Sequence, residues 1–195
     1  YYAAEGFTRK EDGSFYQTTI CTPDKTPRAE LTETFAETLN VDAFEENEWK
    51  ITVSSRLVTT LFADILDAGS RAETKRIPCG ILSAPDPVLG SFLAAYFSGD
   101  GSTASDRVEV RAHTVSHELN SDLAAAPKRF GVATKEYREE RTPEPGATAE
   151  FYDVSRSFAK WVPRVTSKNA VRSAGNIGYD LDRKPAPLTN ADDGM

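Results

Sequence analysis

Sulfur and imidazole are nearly missing from this chain: its 195 residues hold two cysteines, two histidines and one methionine. Cys21 and Cys79 are too few and too far apart for a disulfide framework or a thiolate zinc site, so both read as unpaired thiols. His113 and His117 stand four apart, a spacing that can share one helix face. Val115-Ser116 between them reads as the passage from a strand into a helix capped by Ser116, which sends the two rings to different elements, and no zinc site is expected. Long apolar runs are missing too, so no segment is expected to span a bilayer. The opening residues carry no signal-peptide pattern, and a cytoplasmic protein without a membrane partner is the expectation.

Positive charge is also short. There are 30 acidic against 23 basic residues, a formal net charge of −7, and only 9 of the bases are lysine against 14 arginine. Taken alone, that balance argues against nucleic acid, because contacts to phosphate need Lys and Arg. Abundant acids with scarce lysine, as in Glu45-Glu46-Asn47-Glu48, also suit a surface kept soluble in a salt-rich, halophilic cytoplasm. In such salt the counterion-release contribution weakens, so any affinity for a polyanion must come from other contacts.

What is present is a repeated order of elements. The first half opens with a short strand over residues 7–9, a turn at Glu11-Asp12-Gly13-Ser14 and a longer strand over 15–22; Asp-Gly between strand formers signals a hairpin. A helix over 27–40 follows, with Thr26 as N-cap, Pro27 at its first position and Leu31, Phe35 and Leu39 on its apolar face. A second hairpin holds the alternating Trp49-Lys50-Ile51-Thr52-Val53. A helix over 56–68, carrying Leu57, Leu61 and Leu66, closes the half at Gly69. In the second half a helix over 87–99 leads to a strand at 107–114, a helix from Ser116 to Gly131 and strands at 132–139 and 148–154. Pro127 removes a donor inside that helix, so the helix either stops near Ala126 or gives way to a separate turn. Each half reads helix, two strands, helix, two strands, helix: an α+β unit occurring twice. Residues 1–75 form the first half, 76–86 a linker and 87–184 the second half. The aperiodic residues 185–195 are expected to be a disordered tail.

The end of the helix over 87–99 carries the sharpest motif. Leu93-Ala94-Ala95-Tyr96-Phe97-Ser98-Gly99-Asp100-Gly101 is an apolar, small-residue helix ending in an acid between glycines, and Tyr1-Tyr2-Ala3-Ala4-Glu5-Gly6 repeats its last six positions with Glu5 in place of Asp100. Small residues let two such helices approach closely and bring their terminal carboxylates together, which suits a divalent cation and a phosphodiester. Lys75-Arg76-Ile77-Pro78 follows the first half, and Asn176-Ile177-Gly178-Tyr179 with Arg183-Lys184 follows the second. Together these segments resemble the LAGLIDADG (DOD-type) homing endonucleases, most closely the endonuclease domains carried inside inteins, with the first motif starting partway along.

That resemblance implies two pseudo-symmetric αββαββα LAGLIDADG subdomains forming a saddle-shaped DNA-binding sheet, a monomeric pseudo-dimer when complete. It implies a site-specific double-strand DNA endonuclease in which Glu5 and Asp100 hold Mg²⁺ (or Mn²⁺), and in which Lys75 and, in the second half, Lys184 orient or activate water, with Lys168 as the substitute for Lys184. A covalently linked intein splicing domain is expected outside this chain, since no splicing nucleophile or His-Asn pair stands at its ends. Strand alternation gives the DNA contacts: with Ile51 and Val53 inward, Lys50 and Thr52 face out, as do Arg111 and His113 opposite Val110 and Ala112, with Gln17 and Thr19 on the first long strand; Arg138 and Arg141 add phosphate contacts. The alternatives are a LAGLIDADG DNA- or RNA-binding module that lost cleavage, such as a maturase, and an unrelated acidic α+β protein.

Overall fold

The structure, a computed structural model, describes residues 1–103, 109–141, 158–166 and 168–178. It begins with a single helical turn, α1 (Tyr2–Glu5), and a hairpin of β1 (Gly6–Glu11) and β2 (Ser14–Cys21). Asp12 and Gly13 between these strands have φ of 48° and 79°, the pair of positive angles that a two-residue hairpin needs to match the right-handed twist of its strands. The chain continues through α2 (Lys25–Leu39), β3 (Phe44–Asn47), β4 (Lys50–Val53) and α3 (Arg56–Thr60), the last passing into a π-helical turn, Leu61–Ile65. After a 3₁₀ turn (Ala72–Thr74) and the short α4 (Cys79–Leu82), the order recurs. It runs α5 (Asp86–Asp100), β5 (Ser102–Thr103), β6 (Glu109–Arg111), α6 (His117–Ala125), β7 (Lys135–Arg141), β8 (Phe158–Thr166) and α7 (Lys168–Ile177).

Two antiparallel four-stranded sheets result, with strand orders β1-β2-β4-β3 and β5-β6-β8-β7. The two orders are the same topology, so the α+β architecture read from the sequence occurs twice. Each sheet has its own core. Ile20, Phe35, Ile51, Val53 and Val58 form the first; Leu89, Leu93, Tyr96, Phe97, Val110, Leu119, Leu123 and Val165 form the second. On α5 the buried residues recur at the spacing of one helix face, and Leu89 and Leu93 are each 0% exposed, contributing about 2–3 kcal/mol apiece. Neighbours on α1 divide between the cores: Tyr2 packs into the first and Ala3 into the second.

Local departures from the sequence expectations have physical causes. Helix α2 starts two residues early, with Asp24 rather than Thr26 as its cap residue; Pro27 sits within the first turn, where a missing N–H costs nothing. Leu57 is 72% exposed while Val58 and Thr59 are buried, because Ser55 caps α3 by accepting from Val58 N and thereby sets the helix one residue round. At Pro127 both anticipated outcomes occur together: α6 ends at Ala125 and a 3₁₀ turn, Ala126–Phe130, closes on the left-handed Gly131. The anticipated strand at 148–154 lies outside the described residues, as do the tail from 185 and Lys184; strand β8 was not anticipated.

The segment joining the units is stitched to both. Arg76 pairs with Asp67 of the first unit and Glu118 of the second. Ile77, 1% exposed, donates its N–H to Asp122 Oδ2 at 2.9 Å, and Ser116 Oγ donates to the Lys75 carbonyl at 2.6 Å.

Candidate active site

Helices α1 and α5 end alike. Each finishes on an acid, and each is followed by a glycine in extended conformation whose N–H returns to a carbonyl four residues back: Gly6 to Tyr2, Gly101 to Phe97. A Cβ at Gly6 would stand 2.4 Å from Tyr2 Cδ2 and one at Gly101 2.2 Å from Phe97 O, so glycine is required at both exits. The two helices also touch. A Cβ on Gly99 would meet Ala4 Cβ at 3.3 Å and Glu5 Cγ at 4.0 Å, an approach that only small side chains permit.

This contact puts Glu5 and Asp100, both half-buried, on the wall of one open cavity of about 920 Å³. Lys75 lines it as well, together with Lys50 from the first sheet and His113 and Lys160 from the second unit. Bases from both units thus border the two acids, and locally the cavity does not share the acidic balance of the whole chain.

Lys75 is 3% exposed. Its Nζ donates to the Tyr2 carbonyl at 2.9 Å and lies 3.3 Å from the centroid of the Tyr2 ring. Burial lowers its pKa to about 7, because a charged ammonium loses its hydration there. Asp100 is held by a residue that sequence reasoning alone passes over: the hydroxyl of Tyr96, 1% exposed, donates to Asp100 Oδ2 at 3.0 Å. Burial, and then the neighbouring carboxylate, raise the Tyr96 pKa well above its ordinary value, so the phenol stays a donor. The signal was available, since positions four apart on a helix face one another.

Lys184 lies outside the described residues, and Lys168 is exposed at the start of α7, the helix on which Asn176 and Ile177 also lie. His117 is exposed on α6 and meets the Trp161 ring edge-on at 4.7 Å, apart from His113 in the preceding connection. The register sorts the remaining residues by face. Thr18 Oγ1 donates to Thr59 of α3, so Gln17, Thr19, Lys50 and Thr52 take the opposite, outer face. Thr19 and Thr52 are each 0% exposed there, which corrects their reading as open base contacts: their hydroxyls meet at 3.1 Å beneath Glu46, whose carboxylate accepts from Thr52. Gln17 is bonded to Arg9 and Ser54.

In the second sheet Val110 and Val165 belong to the core, so Arg111 and its cross-strand neighbours Arg164 and Lys135 face out. Arg111 also donates to Ser102 Oγ and lies 3.8 Å from Glu109. Arg138 pairs across the ladder with Trp161 and lies near its ring, and its face is shared with Glu136, which accepts from Asn120 of α6. Arg138 therefore sits on the helix side of an edge strand, not beside Arg111, since side chains alternate along a strand. Arg141 ends β7. Sequence reasoning missed Arg9, Lys135, Lys160 and Arg164 on the outer faces, the last two because β8 itself was not anticipated.

No group of three or more His, Cys, Asp or Glu able to hold a metal occurs among the described residues. The two helix-end carboxylates, Glu5 and Asp100, offer oxygen donors. They fit a hard cation of the Mg²⁺ type, which binds through one or two carboxylates and takes water and substrate phosphate for the rest.

Residues 87–178 match the LAGLIDADG-like domain family. The chain is 31% identical over 192 residues to a DNA polymerase II large subunit of Thermococcus kodakarensis, covering 94% of this chain and 11% of that protein. It is 25% identical over 134 residues to the DNA polymerase II large subunit of Haloquadratum walsbyi, covering 67% of this chain and 6% of the relative. The chain thus spans a small part of these relatives' length. Among solved structures it is similar to I-DmoI in complex with DNA and Mn, with a TM-score of 0.57 at 12% identity over 88% of this chain and 87% of that one. A mesophilic variant of the homing endonuclease I-DmoI gives 0.58 at 12% identity over 90% and 89%. With two identical sheet topologies, two acid-terminated helices in contact and these matches, residues 87–178 belong to the LAGLIDADG-like domain family and the chain has the fold of the homing endonuclease I-DmoI.

Proposed function

We propose that this chain is a site-specific, double-strand DNA endonuclease domain that works with Mg²⁺ or Mn²⁺ and is carried within a longer protein as part of an intein. The observation that carries it is the seating of Glu5 and Asp100 on one cavity wall, with buried Lys75 and bases of both units around them. Its short span of the polymerase subunits supports an inserted unit, with the splicing portion outside residues 1–195. The division into halves at 1–75 and 87–184, joined by 76–86, is part of the same reading.

Each residue then has a task. Glu5 and Asp100 bind the cation, which when present acts as a Lewis acid toward the scissile phosphoryl group. Tyr96 keeps Asp100 in one rotamer. The Lys75 amine, with a pKa of about 7, is neutral in a good fraction of molecules at neutral pH and can take the proton of an attacking water; once charged, it offsets the growing negative charge. Lys50, His113 and Lys160 position the backbone on either side of the cut. Outer-face residues of the two sheets, Gln17 and Arg111 among them, meet base edges in the major groove.

The test is cleavage, in Mg²⁺, of DNA carrying the uninterrupted host-gene junction. Linear product that disappears in Asp100→Asn supports the reading. Salt-dependent binding with no cutting by the parent protein replaces it with a non-cleaving DNA- or RNA-binding module. No retention of DNA at low salt overturns both.

A further inference from the structure

On the outer face of the first sheet, polar side chains from four strands and Ser54 are joined in one line of hydrogen bonds. Gln17 Nε2 donates to Ser54 Oγ at 3.1 Å, and Arg9 Nη1 donates to Gln17 Oε1 at 2.8 Å. Arg9 Nη2 reaches both Glu46 oxygens, at 3.2 and 3.3 Å. Glu46 Oε2 accepts from Thr52 Oγ1 at 2.9 Å, and Thr52 meets Thr19 at 3.1 Å. Arg9 and Glu46 come from the two outer strands of the sheet and close over β2 and β4 between them. Both remain about a third exposed, at 35% and 32%. The hydrogen bond from Thr52, then that from Arg9, lowers the Glu46 pKa, so it is a carboxylate at neutral pH.

A carboxylate reaching over the outer face of a DNA-facing sheet is ill suited to gripping phosphate. Next to a guanidinium it suits a base pair. Resting on the endonuclease reading above, we infer that Arg9 and Glu46 act as one base-pair reader, Arg9 donating to N7 and O6 of a guanine and Glu46 accepting from N4 of its paired cytosine. On docking, every bond the pair loses must be replaced, or a desolvated charge is left without a partner. The major-groove edge of a G·C pair presents two acceptors and then a donor in a row, which replaces both. An A·T edge alternates acceptor, donor, acceptor, so the fork of Arg9 finds no adjacent pair of acceptors. Phosphate satisfies Arg9 and repels Glu46. The pair therefore selects against nonspecific backbone binding as well as against the wrong base.

Selection from randomised duplex DNA by the full chain tests this whatever the target site is. The parent's bound pool is expected to contain a fixed G·C column in one half-site. In Glu46→Gln, which keeps an acceptor for Thr52 but loses the charge, the preference at that column is expected to fall about tenfold, within the range known for one base contact. Binding to random-sequence duplex is expected to strengthen severalfold, with a salt slope steeper by about one contact as Arg9 turns to phosphate. Arg9→Gln is expected to flatten the same column while weakening random-duplex binding. Thermal melting within a few degrees of the parent establishes that both variants are folded. Parent-like consensus in both variants, or a parent consensus without that column, overturns the pairing alone. A parent that enriches no sequence overturns the endonuclease reading with it.

Discussion

The two units share a strand order and a helix ending, yet they differ in what they present. The first sheet's outer face is closed by the Arg9–Glu46 line, and Thr19 and Thr52 are sealed beneath it. The second sheet's outer face carries Lys135, Lys160, Arg164 and Arg111, with Arg164 stacked over Tyr137 and bonded to Glu139. Both motif helices end on an acid, Glu5 in the first unit and Asp100 in the second. The units share what backbone geometry requires, the exit glycines and the pairing order, and differ in the side chains of their outer faces. On the proposed reading, the second unit is the better grip on a polyanion and the first the more selective surface.

Neutralising the acid of each unit in turn tests whether they serve one chemical centre or two. Asp100→Asn and Glu5→Gln are each expected to lower cleavage of both strands by about a hundredfold or more, since on the proposed reading each removes a charged ligand worth several kcal/mol to the transition state. Nicked circular DNA accumulating with either variant would show that each acid governs its own strand.

Lys75 sharpens the contrast between buried and surface bases. Lys75→Met is expected to slow cleavage by about a hundredfold and to erase an inflection near pH 7, measured as single-turnover rate against pH. The same variant has a stability signature. Between pH of about 7 and 10.5 the unfolded chain holds a proton on Lys75 that the folded chain does not, so stability rises as pH rises through that window. The Lys75 share of that slope is expected to be lost in Lys75→Met, read most cleanly by urea titrations between pH of about 8 and 10.

The exit glycines test the symmetry itself. Gly6→Ala and Gly101→Ala each drive a Cβ into backbone atoms of the preceding turn and are expected to cost about 2–4 kcal/mol apiece, seen as matched losses of melting temperature. A tolerated alanine at one site would break the equivalence. The smallest effect belongs to Tyr96→Phe. Losing one hydrogen bond to a carboxylate, about 1–2 kcal/mol, is expected to raise the Mn²⁺ concentration needed for half-maximal cutting about tenfold, with the maximal rate little changed.

The elements legible in the sequence were those whose signals are local. Asp12-Gly13 specified its turn, Pro127 specified where α6 gives way, and the apolar, small-residue motif ending at Asp100 marked α5. Strand β8 was hidden because Pro163 interrupts it and Lys160 and Arg164 obscure its alternation. Pro163 is tolerated near the end of the β6 pairing, where its carbonyl still accepts from Ala112 N. Within the candidate site, the motif acids and Lys75 were marked by their segments, but the depth of Lys75 depends on Tyr2, 73 positions away. The sealing of Thr19 and Thr52 was likewise out of reach, because the group that covers them comes from another strand of the sheet.

The split loyalty of α1 has a further consequence. Tyr2 is anchored in one core and Ala3 in the other, so the spacing between two like-charged carboxylates is fixed by greasy contacts that are indifferent to charge. On the proposed reading, a cation meets two ligands whose helix is already seated in both cores, and does not have to assemble its own binding place.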